Sequence, residues 1–168
     1  MKKVTAVCPG SFDPVTIGHL DIIRRACNMF DHVIVVVMNN RNKAGGCFSD
    51  AERVALLRTA TEGIENVSID YYDGLLAEYC RIKQAGAIVK GLRAMSDFEY
   101  EFQMALTNHK LNPAVETIFL TTSAENMYLS SSMVKQIGSM GGDIRDFVPQ
   151  KIYDQVRERL LKGKDVAR

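Results

Sequence analysis

Runs of β-branched and apolar residues alternate with stretches of helical spacing along the whole chain. Residues 4–8 are apolar and partly β-branched and predict a buried strand. Leu20, Ile22, Ile23, Ala26, Cys27 and Phe30 then recur at helical spacing, opposite a polar face of Asp21, Arg24, Arg25 and Asn28. Residues 32–38, His-Val-Ile-Val-Val-Val-Met, form an unbroken run that suits a strand covered on both faces, hence a parallel sheet. Ser49 with Glu52 reads as a capping box opening a helix that buries Val54, Leu57 and Ala60. Val67 and Ile69 alternate with polar neighbours in a short strand. Residues 75–83 predict a helix with Leu76, Tyr79, Cys80 and Lys83 near one face.

Residues 86–90 make a fourth strand. A longer helix follows from near Ser96, with Glu99 in capping position and Phe98, Phe102, Ala105, Leu106 and His109 on one face. Asn112-Pro113 stops it. Residues 117–121 are the last strand. Ser130 to Ser132 precede a helix bearing Val134 and Ile137, broken at Gly138 and again at Gly141-Gly142. Pro149 opens a C-terminal helix with Ile152, Val156, Leu160 and Leu161, frayed from residue 163 onward. This alternation predicts an α/β fold: a doubly wound parallel sheet of five strands, helices on both faces, a C-terminal helix, and one domain over residues 1–168.

Composition narrows the classes without choosing among them. The chain has 168 residues, 46% hydrophobic and 24% charged, with a net charge of +1, so nothing global points to nucleic acid or a membrane surface. No segment has the length of a signal peptide's apolar region or of a membrane helix, which predicts a cytoplasmic protein. Cys8, Cys27 and Cys80 fall at apolar positions and read as small core residues, whereas Cys47 sits in a glycine-rich loop.

The chemistry gathers where the strands end. Ligands of open α/β sheets bind beyond the carboxyl ends of their strands. The first strand delivers Ser11, a Gly/Pro turn and His19, with Thr16 placed to cap the following helix. Asp13, before Pro14, fits a turn residue that hydrogen-bonds to backbone. The second strand delivers Arg41, Asn42 and Lys43, the fourth Lys90, Gly91 and Arg93, and the fifth Thr121 to Ser123 with the Ser130–Ser132 helix start beyond. Cations, hydroxyls and helix N-termini, with few carboxylates, compose a polyphosphate site. Neither G-x-G-x-x-G nor a P-loop is present, and no Cys/His cluster offers a metal site on the protein.

These residues are familiar. Thr16-Ile17-Gly18-His19 matches the H/T-x-G-H motif of the Rossmann-like nucleotidyltransferase superfamily. Three longer blocks, Pro9 to Pro14, Lys90 to Ala94 with Asp97 to Glu101, and Ser130 to Lys135, resemble the bacterial phosphopantetheine adenylyltransferase family over residues 3–160. The resemblance implies that ATP and 4′-phosphopantetheine are joined to give dephospho-coenzyme A and pyrophosphate, with Mg²⁺ accompanying ATP and a homohexamer as the assembly. By position it implies His19, Lys43 and Arg93 as catalytic residues. It implies Ser11, Lys43, Leu76 and Lys90 as contacts to the acceptor substrate. For ATP it implies Ser11, Phe12, His19, Gly91, Leu92, Arg93, Glu101, Asn126, Met127, Tyr128, Leu129, Ser130, Ser131 and Ser132. Two positions depart from the family's pattern: Lys90 stands where arginine is common, and Asn126 where an aromatic residue is.

Other readings stay open on residues alone. Arg93 also suits an ion pair with Asp97 or Glu101, Leu76 suits the core, and His32 and His109 read as structural. A different small adenylyl- or cytidylyltransferase, or a nucleotide-binding regulator without turnover, would share the same fold.

Overall fold

The computed structural model describes residues 3–38, 46–93 and 95–162. Its strands are β1 (Thr5–Gly10), β2 (His32–Met38), β3 (Val67–Tyr72), β4 (Ala87–Leu92) and β5 (Glu116–Thr121). Its helices are α1 (Ile17–Met29), α2 (Asp50–Ala60), α3 (Leu76–Ile82), α4 (Met95–Leu111), α5 (Ser131–Ser139) and α6 (Tyr153–Lys162). All the strand pairings are parallel, in the order β3-β2-β1-β4-β5. This is the Rossmann-like, doubly wound sheet that the alternating pattern predicts.

Alternate residues of the strands feed two separate cores, as the two-residue period of a strand requires. Ala6, Cys8, Val33, Val35, Val37 and Val89 join buried residues of α1, α2, α5 and α6. Val7, Ile34, Val36 and Ile88 join Tyr79 and Cys80 of α3. Asn112, just after α4, donates to the Ala77 carbonyl at 3.1 Å and ties α4 to that same side. The polyvaline stretch of β2 is buried throughout, so both faces of the sheet are covered.

The element ends shift from the sequence-based bounds in instructive places. β1 runs on through Pro9 and Gly10, and β3 extends to Tyr72. Helix α4 begins at Met95, so Ser96 lies inside it rather than capping it. Gly138 does not break α5 but lies within it. A Cβ there would sit 2.4 Å from Leu160 Cδ1, so the glycine lets α6 pack close. The break comes at Gly141, whose φ of +85° suits glycine. In α2 the buried residues are Arg53, Leu56, Leu57 and Ala60, while Val54 is half-buried. Phe98, Phe102 and Leu106 of α4 are exposed.

β1 and β4 are the neighbours at which the winding reverses. They pair only at Ala6↔Ala87 and Val7↔Ile88, whereas β1 and β2 pair from Thr5 to Gly10. Beyond Val7 and Ile88 the two strands part, and the crevice expected at such a switch point opens between their carboxyl ends.

Candidate active site

That crevice is a cavity of about 1130 Å³, floored by the ends of β1 and β4 and flanked by the starts of α1, α3 and α5. Its first wall is the β1–α1 turn. Thr16 caps α1: its Oγ1 accepts from the His19 amide at 3.3 Å, and its own N–H donates to His19 Nδ1 at 3.0 Å. His19 thus fills the third position of a capping box, where Glu or Gln is usual. Because Nδ1 accepts the backbone proton, the ring proton resides on Nε2. Burial, and then the positive charges of Arg93 and Lys90, push the His19 pKa from 6.5 down to about 4. The imidazole is a neutral hydrogen-bond donor rather than a cation. Phe12, buried and held at φ +45°, sets its ring edge against His19 at 5.1 Å between centroids. Gly18 needs no smallness for packing. A Cβ there would meet its nearest atom at 3.6 Å, which is ordinary contact.

The second wall carries the charge. Lys90 of β4 pairs with Glu101 of α4 at 3.1 Å, both side chains largely withdrawn from solvent. Arg93 pairs with Asp97 at 3.2 Å and donates through Nη1 to the Leu129 carbonyl at 3.1 Å. These contacts use two of the five N–H donors of the guanidinium. Of the partners open to Arg93 in sequence, Asp97 takes it and Glu101 goes to Lys90. Gly91 lets β4 approach α1, since a Cβ would lie 2.9 Å from Ile22 Cγ1.

The third wall is the start of α5. Ser130 caps it, accepting from the Met133 amide at 3.1 Å. The Ser131 hydroxyl donates to the Pro14 carbonyl at 2.8 Å and binds this helix to the β1–α1 turn. Asn126 donates to Ser123 Oγ at 2.9 Å. Met38, Leu75, Leu76, Met104 and Leu111 add apolar surface to the cavity lining. Leu76 also packs against the core cluster around Tyr79, as its core reading expects.

Most of the residues singled out in sequence therefore share one space. Ser11, Phe12, His19, Leu76, Lys90, Gly91, Arg93, Glu101, Asn126, Leu129, Ser130, Ser131 and Ser132 line it. Leu92, Met127 and Tyr128 are not among its lining residues, and Met127 and Tyr128 are exposed. Lys43 lies outside the described residues, as do Arg41 and Asn42. His32 meets Ser68 Oγ at 2.9 Å and His109 faces Glu116 at 3.5 Å, both away from the cavity.

Sequence reasoning passed over Arg53. It is only 8% exposed, pairs with Asp50, and donates from Nη1 to the Ser11 carbonyl at 3.0 Å. Its signal was its phase: Arg53 falls on the same helical face as Leu56, Leu57 and Ala60, an unlikely berth for an unemployed cation. Asp13 does bond to backbone as expected, but to a distant segment. It accepts from the Phe48 amide at 2.9 Å and the Cys47 amide at 3.0 Å.

Comparison with known proteins bears on this arrangement. The cytidylyltransferase-like family matches residues 7–137. A phosphopantetheine adenylyltransferase of Caldanaerobacter subterraneus subsp. tengcongensis is 55% identical over 158 residues, covering 94% of this chain and 98% of its own. Proteins of the same name from Alkaliphilus oremlandii and Acaryochloris marina are 51% and 49% identical, covering 92% and 94% of this chain and 98% and 89% of their own. Among solved structures, a bifunctional NMN adenylyltransferase/ADP ribose pyrophosphatase from Francisella tularensis superposes with a TM-score of 0.69 at 18% identity, over 98% of this chain and 54% of its own. That likeness speaks to the fold.

Proposed function

Because the chain belongs to the cytidylyltransferase-like family and, within it, to the phosphopantetheine adenylyltransferases, we propose that it transfers the adenylyl group of ATP to 4′-phosphopantetheine. The products are dephospho-coenzyme A and pyrophosphate. The observation that carries this is identity near 50% to proteins of that name over nearly the whole chain. The cavity agrees with it: lined by Lys90 and Arg93 and by apolar residues such as Leu76 and Met104, it suits a phosphate on an apolar arm beside a nucleotide.

In the reaction we infer, an oxygen of the acceptor phosphate attacks the α-phosphorus of ATP in line, and pyrophosphate leaves. An ionised phosphate is already a nucleophile, so no general base is needed and catalysis is positioning with charge stabilisation. His19 Nε2–H, at the positive end of α1, faces the charge that develops on the α-phosphate. Arg93 holds the leaving phosphates, Lys90 the acceptor phosphate, and Leu76 the apolar arm. Lys43 steadies the attacking group, a role that rests on sequence alone. ATP enters as its Mg²⁺ complex. In that complex the triphosphate oxygens coordinate the ion.

We also read the protein as a cytoplasmic homohexamer. No helix of the described residues is long and apolar enough to cross a membrane. The exposed Phe98, Phe102 and Leu106 of α4 are the kind of apolar stripe that another copy would cover. Sedimentation of the purified chain measures the assembly.

The deciding assay incubates the protein with Mg²⁺, ATP and 4′-phosphopantetheine and follows dephospho-coenzyme A and pyrophosphate. Equimolar formation of both is expected. Turnover with nicotinate mononucleotide instead, or with no acceptor at all, would overturn the reading.

A further inference from the structure

The segment from Ser11 to Thr16 belongs to no strand or helix, yet residues 12–16 are all buried. Irregular backbone inside a protein needs partners for its polar groups. Here the partners come from three distant elements. Arg53 of α2 holds the Ser11 carbonyl, and Ser131 of α5 holds the Pro14 carbonyl. Between them stands Asp13, 6% exposed, whose carboxylate takes three donors. Oδ1 accepts from the Phe48 amide at 2.9 Å; Oδ2 accepts from the Cys47 amide at 3.0 Å and from Lys135 Nζ of α5 at 2.9 Å.

We propose that Asp13, with Lys135, is a positioning residue for adenylyl transfer, holding the His19-bearing turn in register with the start of α5. The inference rests on the function proposed above. Its argument is one of placement. Asp13 lies two residues after Ser11 and three before the cap that orients His19. Lys135 lies one turn into the helix that Ser130 opens. One carboxylate thereby joins two walls of the cavity and the segment that follows β2. Buried ion pairs are weak sources of stability, since apolar replacements often serve as well. What such a pair does supply is a fixed geometry between groups that hydrophobic contact would leave free to slide. Burial alone would raise the Asp13 pKa, but the Lys135 hydrogen bond and the two amides outweigh it and hold the carboxyl below its usual range. The group therefore stays ionised and keeps all three donors at neutral pH.

The test is steady-state kinetics of the full chain with ATP and 4′-phosphopantetheine, alongside melting curves. Asp13→Asn and Lys135→Met are each expected to lower kcat about 10- to 100-fold, the scale of a 1 Å misplacement, with both KM values within about threefold. Lys135→Arg restores kcat to within about threefold, and the double variant is no worse than Asp13→Asn, because the two act as one unit. Lys151→Met, which breaks the exposed Lys151–Glu62 pair, is the control for a merely structural ion pair. If Asp13→Asn does not fold, the half-exposed Lys135 decides, through Met against Arg. Wild-type kcat in Lys135→Met, or losses that simply track melting temperature, would overturn the inference. A wild-type chain with no turnover refutes the function instead.

Discussion

Helices α1 and α2 open with the same device and use it to opposite ends. Both begin with a hydroxyl cap and a side chain three residues on that reaches back to the cap's amide: Thr16 with His19, Ser49 with Glu52. In α2 the returning group is an anion. Glu52 Oε2 accepts from the Ser49 amide at 2.8 Å and is further bound by Arg159, so the positive end of that helix is already answered. In α1 the returning group is a neutral ring that caps with one nitrogen and keeps a proton on the other. The helix is closed geometrically but left electrostatically unanswered, and its positive end remains available to an incoming anion. Glu52 and Asp50 set two carboxylates in the first turn of α2, where α1 has none.

The most severe way to break the contrast is to make α1 like α2. His19→Glu keeps a side chain able to cap but sets a carboxylate among the phosphates. We expect an intact fold and a loss of turnover of at least about 1000-fold. His19→Ala removes the donor without adding charge, and kcat falls about 100- to 1000-fold, well beyond any loss in ATP affinity. Equal, small losses in both would remove His19 from catalysis. Gly18→Ala tests whether the open space at α1 belongs to the ligand. Alanine fits there and favours the helix, so the melting temperature holds or rises, while kcat/KM for ATP drops about tenfold, roughly 1.4 kcal/mol. Conversely, Glu52→Gln in α2 lowers the melting temperature and leaves kcat within about twofold.

Acid separates the helices more gently. His19 has a folded pKa of about 4 against an ordinary 6.5, so the unfolded chain binds the extra proton first and stability falls as pH drops between those values. Glu52 is held at about 2 against 4.5, by the Arg159 hydrogen bond first and the Ser49 amide next. Its contribution is complete above 4.5 and lost as pH drops towards 2. Melting curves should show the advantage of wild type over His19→Ala shrinking between pH 6.5 and 4. The advantage over Glu52→Gln should shrink only below 4.5.

Much of this contrast was legible in the chain itself. The valine run of β2, the capping pair Ser49/Glu52 and the turn before His19 are local signals, and local physics settles them. What escaped reading depends on who arrives from elsewhere. Gly138 looks like a helix breaker until Leu160 needs its space. Arg53 looks like a surface cation until the Ser11 carbonyl calls for a donor. The carboxylates of Asp97 and Glu101 are both within plausible reach of Arg93, and only the tertiary structure gives Glu101 to Lys90. The face of α4 carries core-like residues that the chain alone leaves exposed, so its hydrophobicity pointed to burial that this fold does not provide.

Helix α6 meets the site-bearing segments late in another sense. Arg159 donates to the Cys47 carbonyl at 3.2 Å and binds Glu52, while Leu160 fills the space above Gly138. A ribosome makes these residues after every other element described here. Until they emerge, the cap of α2 lacks its arginine, the segment beside Asp13 lacks a donor for its carbonyl, and α5 has a bare face. The nascent chain thus carries Ser11, His19 and Arg93, with the Arg53 and Ser131 contacts to the β1–α1 turn, before it carries the last supports of α2 and α5. A message cut short before α6 would yield a polypeptide with the motif and without these supports.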